Sequence, residues 1–184
     1  MEISRTPPGS IVTSERSRPA GAREVLGNVY LHNYSSLVRL AAMLSHDIDS
    51  AEDVAQEAYV RASLRASKYS RDDEGLAYLR RCIVNLCHSQ WRHKQVARRV
   101  LPRLFMDYHT ASHNDPAVFD RQIIIRALRT LPPRQREVVV LRHYVGLSER
   151  ETAETLGITV GAVKSHASRA LTSLRAQMEL QNGE

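Results

Sequence analysis

An all-α protein of two small helical domains joined by a flexible linker is what the sequence predicts, the C-terminal one a helix-turn-helix. Proline is absent between Pro19 and Pro102 and again after Pro133. Because proline costs about 3 kcal/mol inside a helix, those two stretches are where helices can run. Apolar residues within them recur at three- and four-residue spacing, the period of one helix face. Aromatic residues make up only 5% of the chain, too few for the aromatic and β-branched strands of a sandwich or barrel.

Residues 1–22 are rich in Pro, Gly and Ser without periodicity and predict a disordered tail. Within 23–94, Leu26, Tyr30, Tyr34, Leu37, Ala41 and Leu44 mark one face of a first helix. Ser50, three residues before Asp53, is a candidate N-cap for a second. A third begins near Asp72, with Leu76, Leu79, Ile83 and Leu86 as its buried stripe, and three such helices make a small bundle. Residues 95–117 hold Pro102, Pro116 and a polar run, and predict the linker.

The second module, 118–180, offers Ile124, Leu128 and Leu131, then a Pro132-Pro133 break, then Val138, Leu141 and Val145. Strand propensity is high over Val138-Val139-Val140-Leu141, but flanking charges at helical spacing and the lack of a partner strand favour a helix that stops at Gly146. Ser148 and Glu151 form a Ser-x-x-Glu capping box, which opens a short helix ended by Gly157. Thr159 caps a final helix whose Val163, Ala167, Ala170, Leu174 and Met178 share one face. A short helix, a turn containing glycine and a longer helix are the parts of a helix-turn-helix.

With 26 Lys+Arg against 20 Asp+Glu the chain carries a formal charge of +6, which suits a polyanionic partner. No apolar run is long enough to span a membrane and the N-terminus lacks the apolar core of a secretory signal, so a cytoplasmic location is expected. Cys82 and Cys87 make no disulfide framework and fit a reducing compartment. There is no glycine-rich phosphate loop, Gly-x-Ser-x-Gly elbow or His-Glu-x-x-His, so no enzyme activity is expected. Cys82, Cys87, His88 and His93 lack paired metal-ligand spacing, and neither a metal nor another cofactor is expected.

Three surfaces carry the functional signal. On the final helix Lys164, Ser165, Ser168, Arg169 and Thr172 lie opposite the apolar face, and no acid occurs from Thr159 to Gln177, as a helix reading the major groove requires. Residues 47–57 are acidic without one base, with Asp53, Gln56 and Glu57 on one side and Val54, Ala58 and Ala62 roughly opposite. That patch would repel DNA and suits a basic protein partner, although acids near a helix N-terminus also complement its dipole. From Asn85 to Met106 there are five bases and no acid, and Arg81, Asn85, His88 and Arg92 share the far face of the third helix, with Trp91 at its edge. Such a set suits a nucleic acid, including unstacked bases, or is simply a solvated face.

The motifs are similar to those of a known family. The run from Ala51-Glu52-Asp53-Val54 to Ala62 resembles the polymerase-binding segment of the extracytoplasmic-function (group IV) sigma factors of bacterial RNA polymerase. Tyr78-Leu79-Arg80-Arg81-Cys82 through Trp91-Arg92 resembles their −10 recognition segment. Leu131-Pro132-Pro133 through Glu137, Gly146 through Ala153, and Gly161-Ala162-Val163-Lys164-Ser165 resemble their −35-binding domain. The resemblance implies that Asp53, Gln56 and Glu57 dock on the clamp of the polymerase largest subunit. It implies a loop at Asn85, Leu86, Cys87 and His88 that captures a flipped −10 base, with Ser89 and Arg92 beside it and a break in the third helix near Asn85. Lys164, Ser165, Ser168 and Arg169 would read the −35 element, with Arg136 and Thr159 on phosphates. It implies core polymerase and promoter DNA as partners, and an anti-sigma protein as a candidate third. The implied function is a promoter-specificity subunit; the alternative is a helix-turn-helix regulator that acts without polymerase.

Overall fold

A computed structural model describes residues 18–45, 49–66, 71–100 and 116–182. Seven helices follow one another in these residues, and no strand occurs among them. The first bundle is α1 (Arg18–Leu44), α2 (Ala51–Ser63) and α3 (Asp72–Val100), each packed on the other two. Its core takes Leu26, Leu37, Leu40 and Ala41 from α1 and Leu79, Ile83 and Val84 from α3. From α2 it takes Val54 with four alanines, Ala51, Ala55, Ala58 and Ala62. Tyr30 of α1 stacks on Tyr59 of α2 with ring centroids 4.6 Å apart, and burial raises the Tyr30 phenol above its ordinary range.

The second bundle is α4 (Pro116–Thr130), α5 (Pro133–Val139), α6 (Glu149–Leu156) and α7 (Val160–Asn182). The valine-rich run that could have been a strand is helical and passes into a π turn over Val140–Tyr144. There the Val145 N–H reaches back to the Val140 carbonyl at 3.0 Å, one residue further than an α-helix allows. Gly146 takes φ +80° and ends the turn, a backbone that other residues seldom adopt. Ser148 and Glu151 form the reciprocal capping box, and Gly157 closes α6 in the left-handed conformation. Thr159 Oγ1 accepts the Ala162 N–H at 3.2 Å and caps α7.

Several expectations need correction. Helix α1 starts at Arg18, inside the stretch expected to be tail, because proline is tolerated in a first helical turn. Helix α3 runs through 95–100, inside the stretch expected to be linker, and Pro116, also expected there, opens α4. The remaining tail and linker, 1–17 and 101–115, lie outside the described residues. Ser50 sits at the N-cap of α2 without a side-chain cap hydrogen bond. In the run Ile123-Ile124-Ile125, Ile125 is buried beside Leu128 whereas Ile124 is 55% exposed. Met178, placed on the buried face of α7, is 61% exposed.

The bundles pack together: α1 touches α4, α5 and the π turn, and α3 touches α5 and α6. Leu26 and Ile83 of the first and Leu141 and Val163 of the second belong to one buried cluster.

The Ser148 cap gives a direct test. Hydrogen bonding to the Ser148 side chain and backbone holds the Glu151 carboxyl below the usual carboxylate range. A depressed folded pKa means stability that is present above the unfolded carboxylate range and lost as pH falls through the folded value. Ser148→Ala is expected to cost about 1 kcal/mol at neutral pH, and its gap to the wild-type chain should narrow on acidification. Thermal melts followed by circular dichroism at both pH values check this.

Candidate nucleic-acid interface

In α7, Val163 and Ala170 are fully buried and Ala167 and Leu174 half-buried, which seats the helix on its bundle. Lys164, Ser165, Ser168, Arg169 and Thr172 are all exposed, so the face expected to read DNA is turned outward. Lys164 Nζ lies 3.5 Å from Glu149 Oε2 at the start of α6, a surface pair worth little in water. Thr159, exposed at the helix entry, has its hydroxyl oxygen engaged by the cap. Arg136 is different: it is 2% exposed, set beside Cys87 and Glu137 where the bundles meet. Burial lowers the Arg136 guanidinium from its ordinary range, and in this arrangement it is turned away from solvent.

Helix α3 is continuous from Asp72 to Val100, so the break expected near Asn85 is absent. Leu86 and Cys87, expected in a base-capturing loop, are 6% and 5% exposed because the helical period turns both into the core. Burial pushes the Cys87 thiol up to about 12. Asn85, Ser89 and Arg92 are exposed, and His88 is half-buried with Trp91 next to it, ring centroids 6.2 Å apart. Asn85, His88, Ser89 and Arg92 line one cleft of about 380 Å³, with Arg134 of α5 on its other side.

Asp53, Gln56 and Glu57 are all exposed on α2, opposite its buried Val54, Ala58 and Ala62. Glu57 accepts a hydrogen bond from Arg61 Nε at 2.7 Å along the same helix. The acidic cluster therefore points to solvent, where a basic surface can reach it.

Two parts of the chain match family models: residues 29–97 match "Sigma-70 region 2" and residues 121–174 match "Sigma-70, region 4". An RNA polymerase sigma-E factor of Streptomyces avermitilis is 37% identical over 147 residues, covering 78% of this chain and 79% of that protein. The chain belongs to the extracytoplasmic-function sigma factors. A relative of that description, SigM of Mycobacterium tuberculosis, is 30% identical over 155 residues, covering 84% of this chain and 78% of the relative. Among solved structures, the sigma factor RpoE from Bartonella quintana, in complex with the anti-sigma factor NepR, is similar with a TM-score of 0.72 and 25% identity. That match covers 83% of this chain and 96% of the other. CnrH, solved with the cytosolic domain of CnrY, shares the fold at a TM-score of 0.65, over 90% of this chain and 97% of the other. As a sigma factor the chain serves promoter-directed initiation by RNA polymerase, and the reading of an autonomous regulator is not favoured.

Sequence reasoning missed Glu137 as a contact. Its side chain is 4% exposed, with Oε2 accepting from Arg134 Nη1 at 2.8 Å and Oε1 meeting His88 Nδ1 of α3 at 2.9 Å. Glu137 lies within the Leu131–Glu137 motif, and no local pattern there points to a partner 49 residues away. Glu137→Ala should cost about 1–3 kcal/mol, because it strands Arg134 and His88 at a partly buried site. His88→Ala should cost less, because the arginine remains to pair the carboxylate. Urea midpoints of the two variants check the order.

Proposed function

We propose that the two bundles divide promoter recognition in this sigma factor, the first (23–94) engaging polymerase and the −10 strand, the second (118–180) seated on −35 duplex. The observation that carries this is the outward acid-free face of α7, with Lys164, Ser165, Ser168 and Arg169 exposed over a buried Val163 and Ala170. A helix so oriented can enter the major groove with its donors facing base edges. Asp53, Gln56 and Glu57 are the proposed contacts to the clamp of core polymerase, supported by their exposure and charge. Asn85, His88, Ser89 and Arg92 are the proposed strand contacts; amide, imidazole and guanidinium groups around a cleft suit unstacked bases. The protein acts in the cytoplasm beside its polymerase, without catalysis of its own, and an anti-sigma protein is a proposed partner, as in the RpoE complex.

Lys164→Ala or Arg169→Ala should weaken promoter binding by about 1–3 kcal/mol, with relaxed specificity at one −35 position if a base contact is lost. A lost phosphate contact would instead weaken all sequences alike. Titration of holoenzyme on promoter duplexes distinguishes these, and unchanged affinity for both variants would place the reading face elsewhere. Asp53→Arg should remove binding to core polymerase while leaving the circular dichroism spectrum intact; normal co-purification would end the docking assignment.

A further inference from the structure

The outward face of α7 has no acid of its own from Thr159 to Gln177, yet one of its cations is paired. Lys164 Nζ lies 3.5 Å from Glu149 Oε2, and Glu149 is the first residue of α6. The other carboxylates of α6 are used within that helix and its cap. Glu151 accepts the Ser148 N–H at 2.7 Å, and Glu154 accepts from Arg150 Nε at 3.1 Å. Glu149, half-buried, instead reaches across the turn to the exposed Lys164. Arg169, further along the same face, makes no ion pair among the described residues. The backbone under both partners is fixed, by the Ser148 capping box on one side and the Thr159 cap on the other.

At 3.5 Å the contact is longer than a charge-assisted hydrogen bond, so attraction rather than directed bonding holds it. Such a pair adds almost nothing to stability, and its effect falls on where the lysine goes. An ammonium on a four-carbon stem is a compact charge that any phosphate attracts, whatever the base sequence. A lysine drawn to the nearest phosphate leaves the Glu149 carboxylate unpaired beside a polyanion. A lysine over the guanine acceptors O6 and N7 can keep that carboxylate as its neighbour. The penalty therefore falls on duplexes that offer Lys164 phosphates only, a repulsive element that sharpens discrimination.

Resting on the function proposed above, we infer that Glu149 is a specificity-determining residue of −35 recognition. It holds Lys164 over the base edges and off the phosphates, which penalises loose binding to unrelated duplex and spares the −35 element. Glu149 is thus a positioning residue that acts through Lys164, and Lys164 reads a base.

Glu149→Gln in the full-length chain tests this, since it removes the charge, keeps the size and leaves the capping box in place. Holoenzyme is titrated on a promoter fragment selected by run-off transcription of genomic fragments, and on the same fragment with its −35 segment scrambled. The variant should bind the scrambled fragment about fivefold more tightly and the intact one within about twofold of the wild-type chain. Its salt slope on the scrambled fragment should steepen by about 0.9, the mark of one more phosphate contact. In a Lys164→Ala background the same substitution should leave the ratio of the two affinities unchanged. Equal tightening on both fragments means a carboxylate that merely repels DNA, and overturns the inference. An unchanged ratio in the single variant overturns it too, as does a ratio that falls as far without Lys164. Lys164→Ala weakening both fragments alike also overturns it, and all of these outcomes leave the proposed function standing. Lys164→Ala without effect on either fragment overturns the proposed seating of α7 on duplex, and the inference with it.

Discussion

Close approach of α2 to its neighbours governs what the first bundle shows to the outside. Four of its buried residues are alanine, with Val54 the one larger side chain among them. Small side chains let the helix sit low on α1 and α3, so its stripe of alanines and Val54 is consumed by the core. The first two turns then show Glu52, Asp53, Gln56 and Glu57 outward, a concentrated acidic strip on a chain of net charge +6. A bulkier α2 would stand further off, and the same carboxylates would be spread over a less definite surface.

In the second bundle the equivalent constraint is punctuation. The capping box at Ser148 and Glu151, the left-handed Gly157 and the Thr159 cap fix where α6 ends and α7 begins within three residues. With that turn set, Val163 and Ala170 point inward and the direction of every polar side chain on α7 follows from helical period. Function on this helix is therefore decided by turn chemistry upstream of it.

These local devices are what the sequence exposes to a reader. Caps, glycine stops and three-to-four spacing act between near neighbours, which is why the stripes of α1 and α3, the helix-turn-helix and the outward faces of α2 and α7 were legible. Where apolar residues run consecutively, as at Ile123-Ile124-Ile125, periodicity does not pick which one turns inward, and here it is Ile125 rather than Ile124. Prolines read as breakers by propensity, yet Pro19 and Pro116 each sit in the first turn of a helix. Leu86, Cys87 and Arg136 enter the DNA set only through the family resemblance, and motif position carries no information about burial, which all three show. Nothing local announces the pairing of Glu137 with His88, since it arises only when two bundles are brought together.

The π turn after α5 has a geometric consequence. An uninterrupted α-helix would place Glu137 and Tyr144 almost in line, since seven residues complete nearly two turns. The extra residue in the turn swings Tyr144 round by about 100° relative to that line. One rod thereby addresses two helices at once, Glu137 meeting α3 and Tyr144 meeting α1. Winding the same residues as an ordinary α-helix would leave composition and charge untouched, yet the rod could then face α1 or α3 but not both.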